Sequence, residues 1–118
     1  MRKRGRRSKA ASLPGDIWYY QFMAPDKRRP VVVLTRADVL PFMDRILVCS
    51  ITSTIRNLPS EVVVGEEEGL ERDSAVSLDN VHTVRKERLQ DYVATLSEDK
   101  MLEVCYALAT ATGCEIDE

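Results

Sequence analysis

Histidine is almost missing from this 118-residue sequence, in which His82 stands alone. One imidazole excludes a two-histidine acid–base mechanism, and it cannot complete a common zinc set with cysteines. The three cysteines, Cys49, Cys105 and Cys114, are an odd number with no CxxC spacing, so neither a disulfide framework nor a structural metal is expected. Cys49 and Cys105 read instead as small buried hydrophobes. No run of 18 apolar residues exists, and the charged start runs into Ala10, Ala11 and Ser12, not into an apolar signal core. Neither a membrane span nor a secretory signal is therefore expected, and the reading is cytoplasmic. Phosphate-cradling loops, GxSxG and HExxH are also missing, which removes the commonest nucleotide-binding, serine-hydrolase and zinc-protease signatures.

What is present fits one small domain with one modest core, since 44% of the residues are hydrophobic and the chain is short. The net charge of −2 hides a strong polarity. Six of the 17 basic residues (Arg2, Lys3, Arg4, Arg6, Arg7 and Lys9) precede residue 10 with no acid among them, leaving 11 basic against 19 acidic residues beyond. A stretch so charged and so poor in apolar side chains is expected to be a disordered tail over residues 1–13. It is either a nonspecific nucleic-acid contact or a solubilising extension.

Strand signals dominate the remainder, residues 14–118. Pro14 and Gly15 punctuate, and residues 16–22 are dense in aromatic and β-branched side chains. Pro30 opens an apolar run at 31–35, expected to be a strand buried on both faces. A short helical turn is expected at 36–42, interrupted by Pro41, and further strands at 45–52, 61–64, 74–78 and 92–96. Three consecutive glutamates between Gly65 and Gly69 read as a solvated turn. The period changes after Ser97, an expected N-cap, with Met101, Val104, Cys105 and Leu108 on one helical face and Gly113 as the stop. Short strands followed by one helix describe a mainly β fold, a compact barrel with a C-terminal α-helix.

Composition and periodicity stop there. The run Pro14-Gly15-Asp16-Ile17-Trp18, then Arg29-Pro30-Val31-Val32-Val33-Leu34, Ile51-Thr52-Ser53 and Leu58-Pro59-Ser60-Glu61-Val62, resembles the first half of the MazF/PemK toxin family. Gly69-Leu70-Glu71-Arg72-Asp73-Ser74-Ala75-Val76, Asp79-Asn80-Val81-His82-Thr83-Val84 and Lys86-Glu87-Arg88-Leu89 resemble its second half, in order and spacing. The resemblance implies a strongly curved Src-homology-three-like barrel, acting as a homodimer. It implies a sequence-specific endoribonuclease that cleaves single-stranded RNA to a 2′,3′-cyclic phosphate and a 5′-hydroxyl, with no metal or cofactor, silenced by a cognate MazE-like antitoxin.

Matched residue by residue, the resemblance implies that Arg29 and Thr52 are catalytic. Pro30 restricts the residue before it to extended conformations, which suits presentation of the Arg29 guanidinium from a rigid strand start. Lys27, Arg28, Ser53, Arg56, Asn80 and His82 are candidates for lining an RNA groove, by charge or by hydrogen bonding to base edges. Many family members carry a longer polar first loop with an acidic residue; here the loop is short and contains Asp26 alone. Trp18 could stack a base, but a core position suits it better. The competing reading is a CcdB-like poison that binds a gyrase subunit without catalysis. Such an activity depends on an apolar terminal segment, whereas this sequence ends Glu115-Ile116-Asp117-Glu118.

Overall fold

A computed structural model describes residues 8–9, 12–23 and 27–114. Six strands form one antiparallel sheet: β1 (Asp16–Gln21), β2 (Arg28–Val33), β3 (Arg45–Thr52), β4 (Glu61–Val64), β5 (Ser74–Arg85) and β6 (Tyr92–Thr95). Their spatial order is β4-β5-β3-β2-β1-β6, and α1 (Glu98–Thr112), the one α-helix among the described residues, packs against β4 and β5.

The apolar run on β2 behaves as its composition demands, with Val31, Val32 and Val33 all fully buried. Its strand begins earlier than expected, at Arg28, which leaves Pro30 inside it. The β2–β3 ladder covers Val31 to Val33 only, so on that side Pro30 lies beyond the paired register and its missing N–H costs no ladder bond. Pro41 also differs from expectation. It stands at the start of a 3-10 turn, Leu40–Phe42, whose first turn needs no donor from it, so it initiates the turn instead of breaking it.

The largest departure is β5. It is one strand of 12 residues, where a strand of five, residues 74–78, was expected. Between Cys49↔Val81 and Ile51↔Val76 the partner strand advances by two residues while β5 advances by five. The surplus forms a bulge around residues 77–80, which lets one long strand bend with the curled sheet. Polar Ser77, Asp79 and Asn80 sit in that bulge, which is why periodicity alone broke the strand there.

Curling divides the interior in two. Ile17, Val32, Val62, Val64, Val76 and Leu78 pack with Val104 and Ala107 of α1, while Trp18, Val31, Val33, Ile46, Val48 and Leu89 form a second cluster. Trp18 is 2% exposed and its ring meets Tyr92 edge-on, so it is a core residue. The helix starts as expected, with the Ser97 side chain accepting from the Lys100 amide at 3.1 Å, and ends at Gly113 with φ of 74°. Its inner face is Met101, Val104, Ala107, Leu108 and Ala111. Cys105 was expected on that face and is exposed; one residue past Val104 is about 100° of rotation, enough to turn it out of the seam. Glu66–Glu68 form a 3-10 turn closed by Gly69 in the left-handed region, and Glu68 Oε1 accepts from the Gly65 amide at 2.6 Å.

Of the expected basic tail, residues 1–7, 10 and 11 lie outside the described residues. Its end packs on the fold: Ser12 is buried, and the Leu13 amide donates to Asp16 Oδ2 at 2.9 Å. No described helix is long and apolar enough to cross a membrane.

Candidate active site

Two neighbouring concavities open along one edge of the curled sheet. The first, of about 420 Å³, is lined by Phe22, Arg29, Ser50, Thr52, Thr54, Arg56, Glu61, Ser77, Asn80 and His82. The second, of about 340 Å³, includes Tyr19, Lys27, Arg28, Arg29, Ser53 and Arg72. Arg29 belongs to both.

Strand register explains how Arg29 and Thr52 meet. Val31, Val32 and Val33 pair with Ser50, Cys49 and Val48; continued two residues past its last pair, that register sets Arg29 opposite Thr52. Both are half-buried, at the strand ends where β2 and β3 part. The Thr52 hydroxyl oxygen accepts from the Thr54 amide at 3.2 Å, which holds the side chain toward the loop and leaves its proton to be donated. Arginine contributes a permanent cation with donors in a planar fork.

The β3–β4 loop forms the opposite wall, and four hydrogen bonds fix it. Glu61 Oε1 accepts from the amides of Arg56 at 3.0 Å and Leu58 at 3.4 Å; the Leu78 amide donates to Ser60 O at 3.0 Å; and Ser60 Oγ donates to Asp79 Oδ2 at 2.5 Å. The bulge in β5 is thus what ties the loop down, and it also turns Asn80 so that Nδ2 donates to Ser77 Oγ at 2.8 Å. Asn57 takes a positive φ of 55° within this loop, a conformation that asparagine tolerates better than most residues.

The residues expected to line a groove divide between the two hollows. Arg56, Asn80 and His82 accompany Arg29 and Thr52 in the first, whereas Lys27, Arg28 and Ser53 lie in the second. Arg28 is already engaged: its Nε donates to Gln90 Oε1 at 2.6 Å, it pairs with Asp91, and its guanidinium lies 4.2 Å from the Tyr19 ring centroid. His82 stacks against Phe22, with centroids 4.9 Å apart and planes inclined by 54°, and Phe22 in turn meets Tyr20 edge-on. Asp26 lies outside the described residues.

Sequence reasoning missed Phe22, Glu61 and Arg72. Phe22 carried a usable signal, because Trp18, Tyr20 and Phe22 alternate at strand period and share a face whose outer end reaches the rim. Glu61 and Arg72 carried none, since their places depend on how β4 and the loops fold back. Cys49 takes no part as a nucleophile: burial, reinforced by the nearby Asp79 charge, pushes its thiol up to about 12, so it stays protonated near neutral pH. Among the described residues no three His, Cys, Asp or Glu side chains gather as metal ligands do.

A family model described as PemK-like, MazF-like toxin of type II toxin–antitoxin systems matches residues 13–112. A probable endoribonuclease of Mycobacterium tuberculosis, MazF5, is 41% identical over 101 residues, covering 85% of this chain and 92% of its own. The solved toxin MazF-mt6 of the same organism has a TM-score of 0.79 at 33% identity, with 86% of this chain and 99% of that one covered. The same fold recurs in an endoribonuclease of a mycobacterial species solved in complex with its cognate antitoxin, with a TM-score of 0.79 at 23% identity over 91% of this chain and 100% of that one.

Proposed function

The chain belongs to the PemK-like, MazF-like toxin family, whose RNA-cleaving activity it shares, and from that premise we propose that Arg29 and Thr52 cut single-stranded RNA in the larger of the two strand-edge grooves. The observation that carries this is the convergence of Arg29, Thr52, Arg56, Asn80 and His82, from three strands and a loop, on one polar hollow.

The chemistry follows from the substrate. The ribose 2′-oxygen loses its proton and attacks the adjacent phosphorus; the bond from phosphorus to the 5′-oxygen breaks, and that oxygen takes up a proton. A 2′,3′-cyclic phosphate and a 5′-hydroxyl result, and no external nucleophile is consumed. The protein must move protons and stabilise charge growing on the phosphorane oxygens. Arg29 suits the second task, as a bidentate clamp held on a strand beside Pro30, and Thr52 supplies a hydroxyl donor to the same oxygens. Glu61 keeps the facing loop in place through two backbone amides. Phe22 and His82, packed ring to ring at an inclined angle, offer aromatic faces to an unpaired base, and Asn80 an amide to its edge.

As a toxin of a type II system, the protein is paired with an antitoxin. We place the antitoxin in this groove, because Arg29 and Arg56 give it basic character, with Lys27 in the adjoining hollow, and carboxylates imitate phosphates there. RNA as substrate puts the work in the cytoplasm, where cell fractionation should recover the protein. One experiment tests the reading. Mixed-sequence RNA incubated with the purified protein in EDTA should be cut, and end mapping should find cyclic phosphate and 5′-hydroxyl. Titration with a purified acidic antitoxin segment should inhibit saturably, relieved by excess noncleavable RNA. Intact RNA in EDTA that is cut only after Mg²⁺ is restored would sink the mechanism.

The reading extends to assembly. Phe42, Leu47, Val63, Leu102 and Tyr106 are all exposed on the single chain and offer apolar side chains to a protein contact. A two-fold dimer would cover some of them. Sedimentation at micromolar concentration should find twice the chain mass of 13.4 kDa; a fully active monomer would refute the dimer.

A further inference from the structure

Away from the groove, at the other end of β3 and β5, lies a basic surface that the cleavage chemistry does not use. Arg45 opens β3, Arg85 closes β5, and the two are direct cross-strand partners. Both are exposed, and like charges placed directly opposite on a sheet are unfavourable. Around them a shallow hollow of about 670 Å³ is lined by Lys9, Asp44, Arg45, Arg85, Lys86 and Glu87, with exposed Arg88 on the adjoining 3-10 turn. Five cations therefore stand with two carboxylates. Glu87 bridges to Arg85 at 3.3 Å, and the ammonium groups of Lys9 and Lys86 each donate to a backbone carbonyl, at 2.5 and 2.9 Å. The carbonyl contacts hold Lys9 and Lys86 in place without neutralising them, while Glu87 offsets part of the Arg85 charge and leaves Arg45 and Arg88 uncompensated by any ion pair among the described residues. Lys9 is also the last of the six basic residues that begin the sequence.

We propose that the Lys9, Arg45, Arg85, Lys86 and Arg88 surface is a second RNA-binding site, which grips the phosphate backbone flanking the segment being cut. The inference rests on the endoribonuclease reading, since only a polymeric substrate can occupy the groove and this surface together. Its chemistry fits that ligand: cross-strand arginines offer two planar forks to successive phosphates, and the repulsion between them is relieved when an anion lies between. β5 joins the two sites, because His82 lines the groove and Arg85, three residues or about 10 Å further along the strand, lines the basic surface. That odd spacing sends the two side chains to opposite faces, so RNA that touches both must pass round the end of β5, where Arg85 closes the strand. The site reads no bases; it raises affinity for long or structured RNA over short fragments.

The test compares wild type with the double variant Arg45→Ala/Arg85→Ala on two RNAs that share one mapped cleavage motif: a short oligonucleotide that only fills the groove, and the same motif within long flanks. The variant should cleave the oligonucleotide with unchanged kcat and KM. On the long RNA, KM should rise at least tenfold with kcat unchanged. The slope of log affinity against log salt for long RNA should become shallower by about 1.4, the loss of two phosphate contacts to single strands. An unchanged KM on the long RNA, an equal loss on both substrates, or an altered sedimentation coefficient with unaltered long-RNA binding would each overturn the proposal. Binding of the wild-type protein to anionic vesicles in preference to long RNA would overturn it too. Should wild type cut neither RNA, the endoribonuclease reading fails. The second site is then judged by whether a noncleavable long RNA still binds more tightly than the short one, and loses that advantage in the variant.

Discussion

Arg29→Ala and Thr52→Ala should each lower kcat by about 10²- to 10³-fold, the loss seen when a preorganised donor to a developing oxyanion is removed. Folding should survive both changes. Arg29 and Thr52 are half-buried at strand ends, their backbone pairing does not depend on the side chain, and the Thr52 hydroxyl accepts from a loop amide two residues away, a contact local to the strand end. Arg29→Lys separates two roles for the charge. A lysine keeps the cation and loses the planar fork, so it should restore RNA binding but little of kcat. Single-turnover cleavage of one defined RNA, with circular dichroism to confirm folding, reads all three proteins. Cleavage within about tenfold of wild type by either alanine variant removes that residue from the chemistry. The two substitutions combined should cost far less than the product of the single losses, because both groups act on the same oxygens.

The second large effect is on stability. Trp18→Ala should destabilise the fold by about 3–5 kcal/mol, the range for emptying an aromatic site in a closed core. For a domain of this size that lowers Tm by about 12 °C or more. The expectation rests on burial: Trp18 is 2% exposed and packed among Val31, Val33, Leu40, Ile46, Val48, Val84 and Leu89. Trp18→Phe tests the chemical detail. The indole Nε1 is buried without a hydrogen-bond partner among the described residues, so phenylalanine removes a costly unsatisfied donor while keeping most of the apolar volume. Its net cost should be about 1 kcal/mol or less, with RNA cleavage unchanged. A Trp18→Phe protein that folds as well as wild type yet shows a tenfold higher KM for RNA would return Trp18 to the substrate.

Legibility in the sequence followed the range of the interactions involved. Where neighbours in sequence decide the structure, the reading was close: the valine run of β2 is fully buried, Ser97 caps α1, Gly113 ends it, and Glu66–Glu68 form a turn. It failed where a partner across the sheet decides. The bulge that makes β5 a single 12-residue strand is a property of its pairing with β3, and no local pattern marks it. Cys105 faces solvent because β4 and β5 approach the helix from one side only, which four equally apolar helical positions could not reveal.

The same division runs through the candidate site. Residue types in order, an arginine before a proline and a threonine at a strand end, bring Arg29 and Thr52 forward as a pair only through the resemblance to the MazF/PemK family. Residue types alone were enough to exclude paired-histidine and common zinc chemistry, because these need side chains that the sequence hardly contains. Tertiary structure decided which hollow each polar residue enters, that Arg28 is spent on Gln90, Asp91 and Tyr19, and that Glu61 holds the loop. It also decided that Arg45 and Arg85 face one another. The reason is geometric: sequence carries composition and short-range period, whereas register between strands 40 residues apart in the chain, as for Arg45 and Arg85, is settled only when the sheet curls and its core closes.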